Sequence, residues 1–386
     1  SFTTSKHLDS AISIKNAKTT TLKNISIAST LFVDKLSESM IIIDGSATTL
    51  IDNITLSGIR SLYGALSLLP KNKAGKIHIE NSFFANNIAY GGGAGAVTID
   101  SSAADDIFFN NNVFLMNHAI KTEKEGGKGG ALFISADVSF AHDIRLTFEN
   151  CKFIGNVADI FGGAIYVYGV IPSISGNNYF EGNTADRTIN HIGSQAIKIM
   201  RVSDLKEGTE RKLSENFIPE ANYSRDSILY FDNIGSAIKL DSTYDLALVD
   251  LFGQIAHYDS TSSLVIISSN ENFTSSANTI RASRGIFSME GVTFQYFISQ
   301  KVNVTIETNA IQSLLSLPRS LASLPGQFTI QLSFRSCGFG ESYVDDRTCK
   351  PCDIGFYSIN LEENSRNPCQ KCDHRSMICE GGSRIG

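Results

Sequence analysis

The chain has 386 residues, 42% of them apolar and 19% charged, with a net charge of −6, and it contains 31 Gly, 7 Pro, 24 Phe and no Trp. That apolar fraction excludes intrinsic disorder and is ample for a large core. The acidic balance and the lack of any Lys/Arg-rich run exclude a nucleic-acid binder, and no apolar stretch approaches the roughly 18 residues of a membrane-spanning helix.

Length alone gives two or three ordinary domains, but the chain repeats, and a repeat overrides that count. Asn81-Ser82-x-Phe84-x-x-Asn87-x-Ala89 is followed by Gly92-Gly93-Ala94. The pattern returns around Phe114 and Asn117, leading to Gly129-Gly130-Ala131, and around Phe153 and Asn156, leading to Gly162-Gly163-Ala164. A fourth copy, around Phe180 and Asn183, leads to the decayed tract Gly193-Ser194-Gln195-Ala196-Ile197. Between motifs the sequence alternates apolar and polar over four to six residues, as in Lys76-Ile77-His78-Ile79 and Ala164-Ile165-Tyr166-Val167. Period-two patterning bounded by Gly and Asn reads as short strands.

Strands repeating every 30 residues or so fit the coils of a parallel β-helix, each strand pairing with its equivalent one coil on. The Phe residues would then stack inside, and the Asn three residues later would take the left-handed corner and bond along the axis as a ladder. Gly-Gly supplies positive φ and close approach at the next corner. Loops are expected at 121–128 and 201–226; amphipathic helices are few, and the best candidate, 311–324, is broken by Pro318. Strand-like alternation extends the pattern back to Asn24 and Asn53. It also runs forward through 227–231, 237–240, 246–251, 264–268, 285–294, 301–308 and 327–334. The expected fold is all-β: one right-handed parallel β-helix of roughly a dozen coils over residues 1–335, then a small disulfide-rich module over 336–386.

Phe-x-x-Asn followed by Gly-Gly-Ala resembles the repeat of the chlamydial polymorphic outer-membrane proteins, which implies a pectin-lyase-like β-helix on a cell surface with a role in adhesion. The first tract departs from that repeat, since Ala94-Gly95-Ala96-Val97 carries an extra Ala-Gly. The segment Cys337-Gly-x-Gly-Glu341, Cys349-x-x-Cys352-x-x-Gly355-Phe356-Tyr357, Cys369-x-x-Cys372 and Cys379 is similar to the ephrin-receptor-like, growth-factor-receptor-type cysteine-rich module. The two together resemble large surface proteins of protists, ciliates especially, and imply an extracellular or cell-surface location.

The spacing Cys349-x2-Cys352-x16-Cys369-x2-Cys372 also satisfies a four-cysteine zinc site. Flanking Cys337 and Cys379 make an even six, however, and a small module poor in apolar residues is better held by bridges. Disulfides are the reading adopted, with Cys337–Cys349 the expected pair and the other four open to more than one pairing. Cys151 takes the place of Ser82, Asn112 and Asn178 in the other coils, and reads as a buried thiol.

Five Asn-x-Ser/Thr sequons lie at Asn24, Asn53, Asn222, Asn272 and Asn303. Alternation at Asn24, Asn53 and Asn303 turns the aliphatics inward and the acceptor asparagine outward. The first 30 residues hold no signal-peptide core, and the chain reads as the mature or proteolysed part of a longer precursor.

Catalytic signatures fail on context. Asp105-Asp106 is the only paired acid in the repeats, and its side chains should diverge; Asn183-Thr-Ala-Asp186 falls one residue from the Asn-Thr-Asp of polygalacturonases. Gly126-Gly127-Lys128-Gly129 lacks the Ser/Thr of a phosphate loop, and no cofactor or metal is expected. The missing Trp removes the best sugar-stacking platform. The function expected is a non-catalytic structural or adhesive protein that self-associates, head-to-tail through its open coil ends or laterally along flat faces. A monomeric ectodomain binding carbohydrate or a cell-surface receptor is the alternative. A polysaccharide lyase or hydrolase is the third.

Overall fold

A computed structural model describes residues 10–28, 38–70, 75–101, 104–122, 126–136, 144–170, 172–174, 177–186, 188–189, 191–205, 228–311, 327–358 and 369–372. The sequon Asn222, Cys379 and nearly all of the helix candidate 311–324 lie outside them.

The first half is a parallel β-solenoid of about five turns. Four faces run along it. One stacks Ile12–Lys15, Ile41–Asp44, Leu66–Leu69, Val97–Ser101, Leu132–Ala136, Ile165–Tyr168 and Ile192–Ser194. A second stacks Thr19–Lys23 through Pro172–Ile174, a third Ser26–Ala28 through Tyr179–Glu181, and the fourth is made of two-residue strands. The repeat's phenylalanines fall directly in register, Phe84 on Phe114, Phe153 and Phe180. Their rings stack in parallel with centroids 5.1, 4.8 and 4.8 Å apart, as the sequence predicts. A second stack, Phe109 on Phe148 at 5.0 Å, meets the first edge-on through Phe114 and Phe153.

The corner asparagines divide their labour differently from the sequence expectation. Asn87, Asn117, Asn156 and Asn183 are fully buried and are not the left-handed residues. The positive φ falls one residue earlier, at Asn86, Met116, Gly155 and Gly182. A left-handed residue turns the chain and leaves its own side chain outside, so the following residue points in. There an amide is needed, because the corner leaves backbone groups without strand partners. The Nδ2 groups of Asn87, Asn117 and Asn156 each donate to the next Asn Oδ1 at 2.8–3.0 Å, and all four Nδ2 groups donate to a carbonyl below, that of Leu56, Phe84, Phe114 or Phe153. A separate row of left-handed asparagines, Asn24, Asn53, Asn81, Asn111 and Asn150, lies exposed at another corner.

The glycine tracts do provide close approach. Gly95, Gly130 and Gly163 stack so tightly that a Cβ on Gly130 would sit 2.1 Å from the Gly163 carbonyl oxygen. In the first tract it is Gly95-Ala96-Val97 that matches Gly130-Ala131-Leu132, which places the extra Ala-Gly in the preceding loop.

The solenoid is shorter than expected. Its last strand on the first face is Ile192–Ser194, and Ala196–Arg201 pairs antiparallel with Leu246–Asp250 instead of continuing the stack. From there to Phe334 lies an eight-stranded sheet whose pairs are antiparallel, except that Ile228–Ile234 and Gln327–Phe334 run parallel. The reason is in the connections. Beyond His191 the paired Phe-x-x-Asn and Gly-Gly corners give way to tight turns, such as Arg284-Gly285 with φ of 49° and 74° between Thr279–Ser283 and Ile286–Phe287. Two successive positive-φ residues reverse a strand onto its neighbour. Segment 237–240, expected as a strand, makes only an isolated bridge from Lys239 to Thr293.

The all-β class, the parallel solenoid and the disulfide-linked C-terminal region are borne out. Two short 3-10 turns, Val202–Asp204 and Ser242–Tyr244, are the only helical elements among the described residues.

Candidate functional site

The joint between the solenoid and the antiparallel sheet gathers the chain's most unusual polar groups. Ile192–Ser194 is the last strand of its face, so its outer edge needs partners. They come from the turn after Leu246–Asp250. The Ser194 N–H donates to Asp250 Oδ2 at 3.0 Å, the Leu251 N–H donates to Ser194 Oγ at 2.9 Å, and Gln254 Nε2 donates to the Ile192 carbonyl at 2.6 Å. The other Asp250 oxygen, Oδ1, accepts the Phe252 and Gln254 N–H groups, both at 2.9 Å. Leu251 and Phe252 close the solenoid's apolar core at this end. The C-terminal coil is therefore not the open end that the sequence predicts.

Asp250 is fully buried, and that desolvation pushes its carboxyl up to about 7, against its backbone donors and Lys198, which hold it down. Sequence reasoning passed over it, although one acid inside Leu246-Ala-Leu-Val-Asp-Leu-Phe252 was a visible signal.

His191 ends both internal columns. Its ring packs on Phe180 at 5.7 Å, its Nδ1 lies 3.4 Å from Asn183 Nδ2, and its buried Nε2 has no hydrogen-bond partner. Burial lowers its pKa, so the folded state holds it neutral. A histidine lowered on folding contributes stability above the unfolded value of 6.5, and that stability is lost as pH falls through the depressed folded value. Between pH 7 and 5 the urea midpoint should fall further for the native chain than for His191→Phe. Equal shifts would remove this role.

The candidate acids are engaged elsewhere. Asp106 accepts from Arg145 Nε at 3.0 Å and lies 3.2 Å from His78 Nε2, an arrangement that holds its carboxyl below the ordinary range, with the Arg145 bond the main cause. A bulge separates it from Asp105's position on the strand. Asp186 lies 4.0 Å from Arg284.

The expected bridge Cys337–Cys349 is present, a second joins Cys352 to Cys369, and Cys372 is also disulfide-bonded. With all four bonded, Cys349, Cys352, Cys369 and Cys372 do not offer zinc a set of thiolates. This region anchors back on the sheet. Arg335 makes a bidentate pair with Glu341 at 2.6 and 2.8 Å, and the guanidinium of Arg347 lies 4.7 Å over Phe297 while it donates to Asn272 Oδ1. Cys151 is free and buried, and burial pushes its thiol up to about 11. Among the described cysteines, an alkylating reagent at pH 8 should label none in the folded protein and Cys151 alone after unfolding without reduction. Labelling of any of the other five would break the assignment.

Four sequons are described, and all four asparagines are exposed. Asn24 and Asn53 sit one above the other at left-handed corners, with Asn53 Nδ2 donating to Asn24 Oδ1 at 2.7 Å. Their exposure comes from that corner conformation rather than from strand alternation. Asn303 lies on Lys301–Thr308 opposite Gln331, where alternation does set its face.

No family model, curated protein or solved structure matches the chain. Among the described residues there is no cluster of His, Cys, Asp or Glu arranged to hold a metal, and no helix is long and apolar enough to cross a membrane.

Proposed function

We propose that the protein is a stiff, non-catalytic extracellular scaffold with an adhesive or structural role. The observation that carries this reading is the pair of continuous internal columns. Stacked phenylalanines and laddered asparagines join every coil from Phe84 to Phe180 and Asn183 to the next. A stack whose every coil is bonded along the axis resists bending, which suits a spacer or a surface element. The disulfides fit an oxidising, extracellular setting. The repeat's likeness to the chlamydial surface proteins and the cysteine-rich segment's likeness to ephrin-receptor-type modules point the same way, toward adhesion at a cell surface. The sequons at Asn24, Asn53, Asn272 and Asn303 fit a glycoprotein.

Self-association is part of this proposal. Because Asp250, Leu251 and Phe252 occupy the C-terminal end of the solenoid, head-to-tail stacking through that end is closed off, and the lateral faces are the surfaces proposed for it. Light scattering of the purified full chain between micromolar and hundred-micromolar concentration, with electron microscopy of the same samples, tests it. Concentration-dependent side-by-side assemblies are expected. A monodisperse monomer throughout would favour the alternative of a single-copy ectodomain that binds glycans or receptors, which a glycan array would then examine. Turnover of uronic polysaccharides would overturn the non-catalytic reading.

A further inference from the structure

Given the lateral self-association proposed above, on which this step depends, we propose that the second face of the solenoid docks on the same face of a second copy, with the two solenoid axes parallel and a two-fold axis between them. This face runs from Thr19–Lys23 to Pro172–Ile174. Its strands pair in register, and every second side chain points outward, so the outward residues form three columns along the solenoid.

The two outer columns differ in charge. One rim carries Lys76 and Arg145 with Asp106 between them, and Asp106 is already engaged by Arg145 and His78 of its own chain, which leaves that rim net basic. The opposite rim carries Asp52, Glu80 and Glu149, with Asn110 between the two glutamates. Asp52 pairs with Lys23 at 3.4 Å, whereas Lys76, Glu80 and Glu149 have no ion-pair partner among the described residues. In the middle column Leu50 and Phe108 stand half-buried on either side of His78, which meets the Phe108 ring edge-on at 5.6 Å.

A two-fold parallel to the solenoid and over the middle column sets each rim against the opposite rim of the partner at the same coil. Lys76 then faces the partner's Glu80, Arg145 faces the partner's Glu149, and symmetry makes each pair twice. Leu50 and Phe108 meet their own counterparts at the axis, and no rim position faces a like charge. With the solenoid axes opposed, each rim would meet the same rim of the partner, and repulsion disfavours that arrangement. Strands about 17–20 Å long over coils about 4.8 Å apart give roughly 400–500 Å² per copy, near the lower limit of a specific interface. A contact of that size is weak, which suits an association that grows with concentration.

Sedimentation velocity of the full, oxidised chain at neutral pH reads the association constant. The chain is made without glycans, because the sequons Asn24 and Asn53 directly follow strands of this face. Lys76→Glu sets acid against acid across the two-fold and Glu80→Lys sets base against base, so each variant alone should lose at least about tenfold in association constant. An equimolar mixture of the two should recover it, because the Lys76→Glu chain is acidic at both positions and the Glu80→Lys chain basic at both. Lys152→Glu, an exposed charge reversal on the third face, should change nothing. Circular dichroism checks that all three variants keep the native fold. Association of the single variants at the native level, failure of the mixture to recover, or an equal loss from Lys152→Glu overturns this interface and leaves lateral association to another face. A native chain that stays monomeric overturns both.

Discussion

Replacing Asn117 by alanine is expected to cost about 3–5 kcal/mol of folding stability, out of proportion to the few atoms removed. Asn117 is completely buried and bonds in both directions along the axis. Its Oδ1 accepts from the Asn87 backbone N–H at 3.2 Å and from Asn87 Nδ2 at 2.9 Å. Its Nδ2 donates to the Phe84 carbonyl and to Asn156 Oδ1, both at 3.0 Å. Truncation strips partners from both neighbouring coils in a place water cannot reach, and each orphaned group costs about 1–3 kcal/mol. The control is Asn111→Ala at the exposed ladder, where Nδ2 donates to Asn81 Oδ1 at 2.8 Å and φ is 53°. Water replaces that bond, leaving mainly the left-handed penalty of about 1 kcal/mol. Urea denaturation of both variants checks the difference, and equal midpoints would mean that the internal ladder contributes no more than the external one.

The second large effect is steric. Gly130→Ala should prevent the coils around it from stacking, with a loss above about 3 kcal/mol or no folded protein at all. The added Cβ would lie 2.1 Å from the Gly163 carbonyl oxygen and 2.6 Å from that of Val157. Both are backbone atoms of the next coil, so no rotamer change relieves the clash, and the strands would have to part beyond the roughly 4.8 Å their hydrogen bonds allow. Gly253→Ala separates this from backbone conformation. Its φ is 78°, yet nothing lies within 4 Å of the added carbon, so only about 1 kcal/mol should be lost. Circular dichroism with denaturation reads both, and a Gly130→Ala protein as stable as Gly253→Ala would refute the close approach.

The repeat carried most of the legible information. Phe84, Phe114, Phe153 and Phe180 each occupy the stacked position that their spacing implied, and the expected Cys337–Cys349 bridge formed. Where the reading slipped, it did so by one residue or by direction. The sequence assigns the corner to the ladder asparagines as well, because Asn suits both a left-handed backbone and a buried amide, and one sequence position cannot say which property is in use. The strands 264–268, 301–308 and 327–334 read from the sequence as solenoid strands yet lie in antiparallel pairs, since a strand alternates in the same way whichever direction its partner runs.

By itself, then, the sequence determined that the chain is built of strands, that its first half repeats with phenylalanine inside and glycine at the corners, and that its end is tied by bridges. Those features are local or periodic, so a single chain displays them. Only the tertiary structure decided where the solenoid stops and what covers its end. That depends on Asp250 meeting Ser194 across a separation of 56 residues, a pairing no periodicity encodes. It also turned Asp250 from one acid in an apolar run into an enclosed carboxyl among N–H groups, because burial and partner identity are properties of the assembled joint.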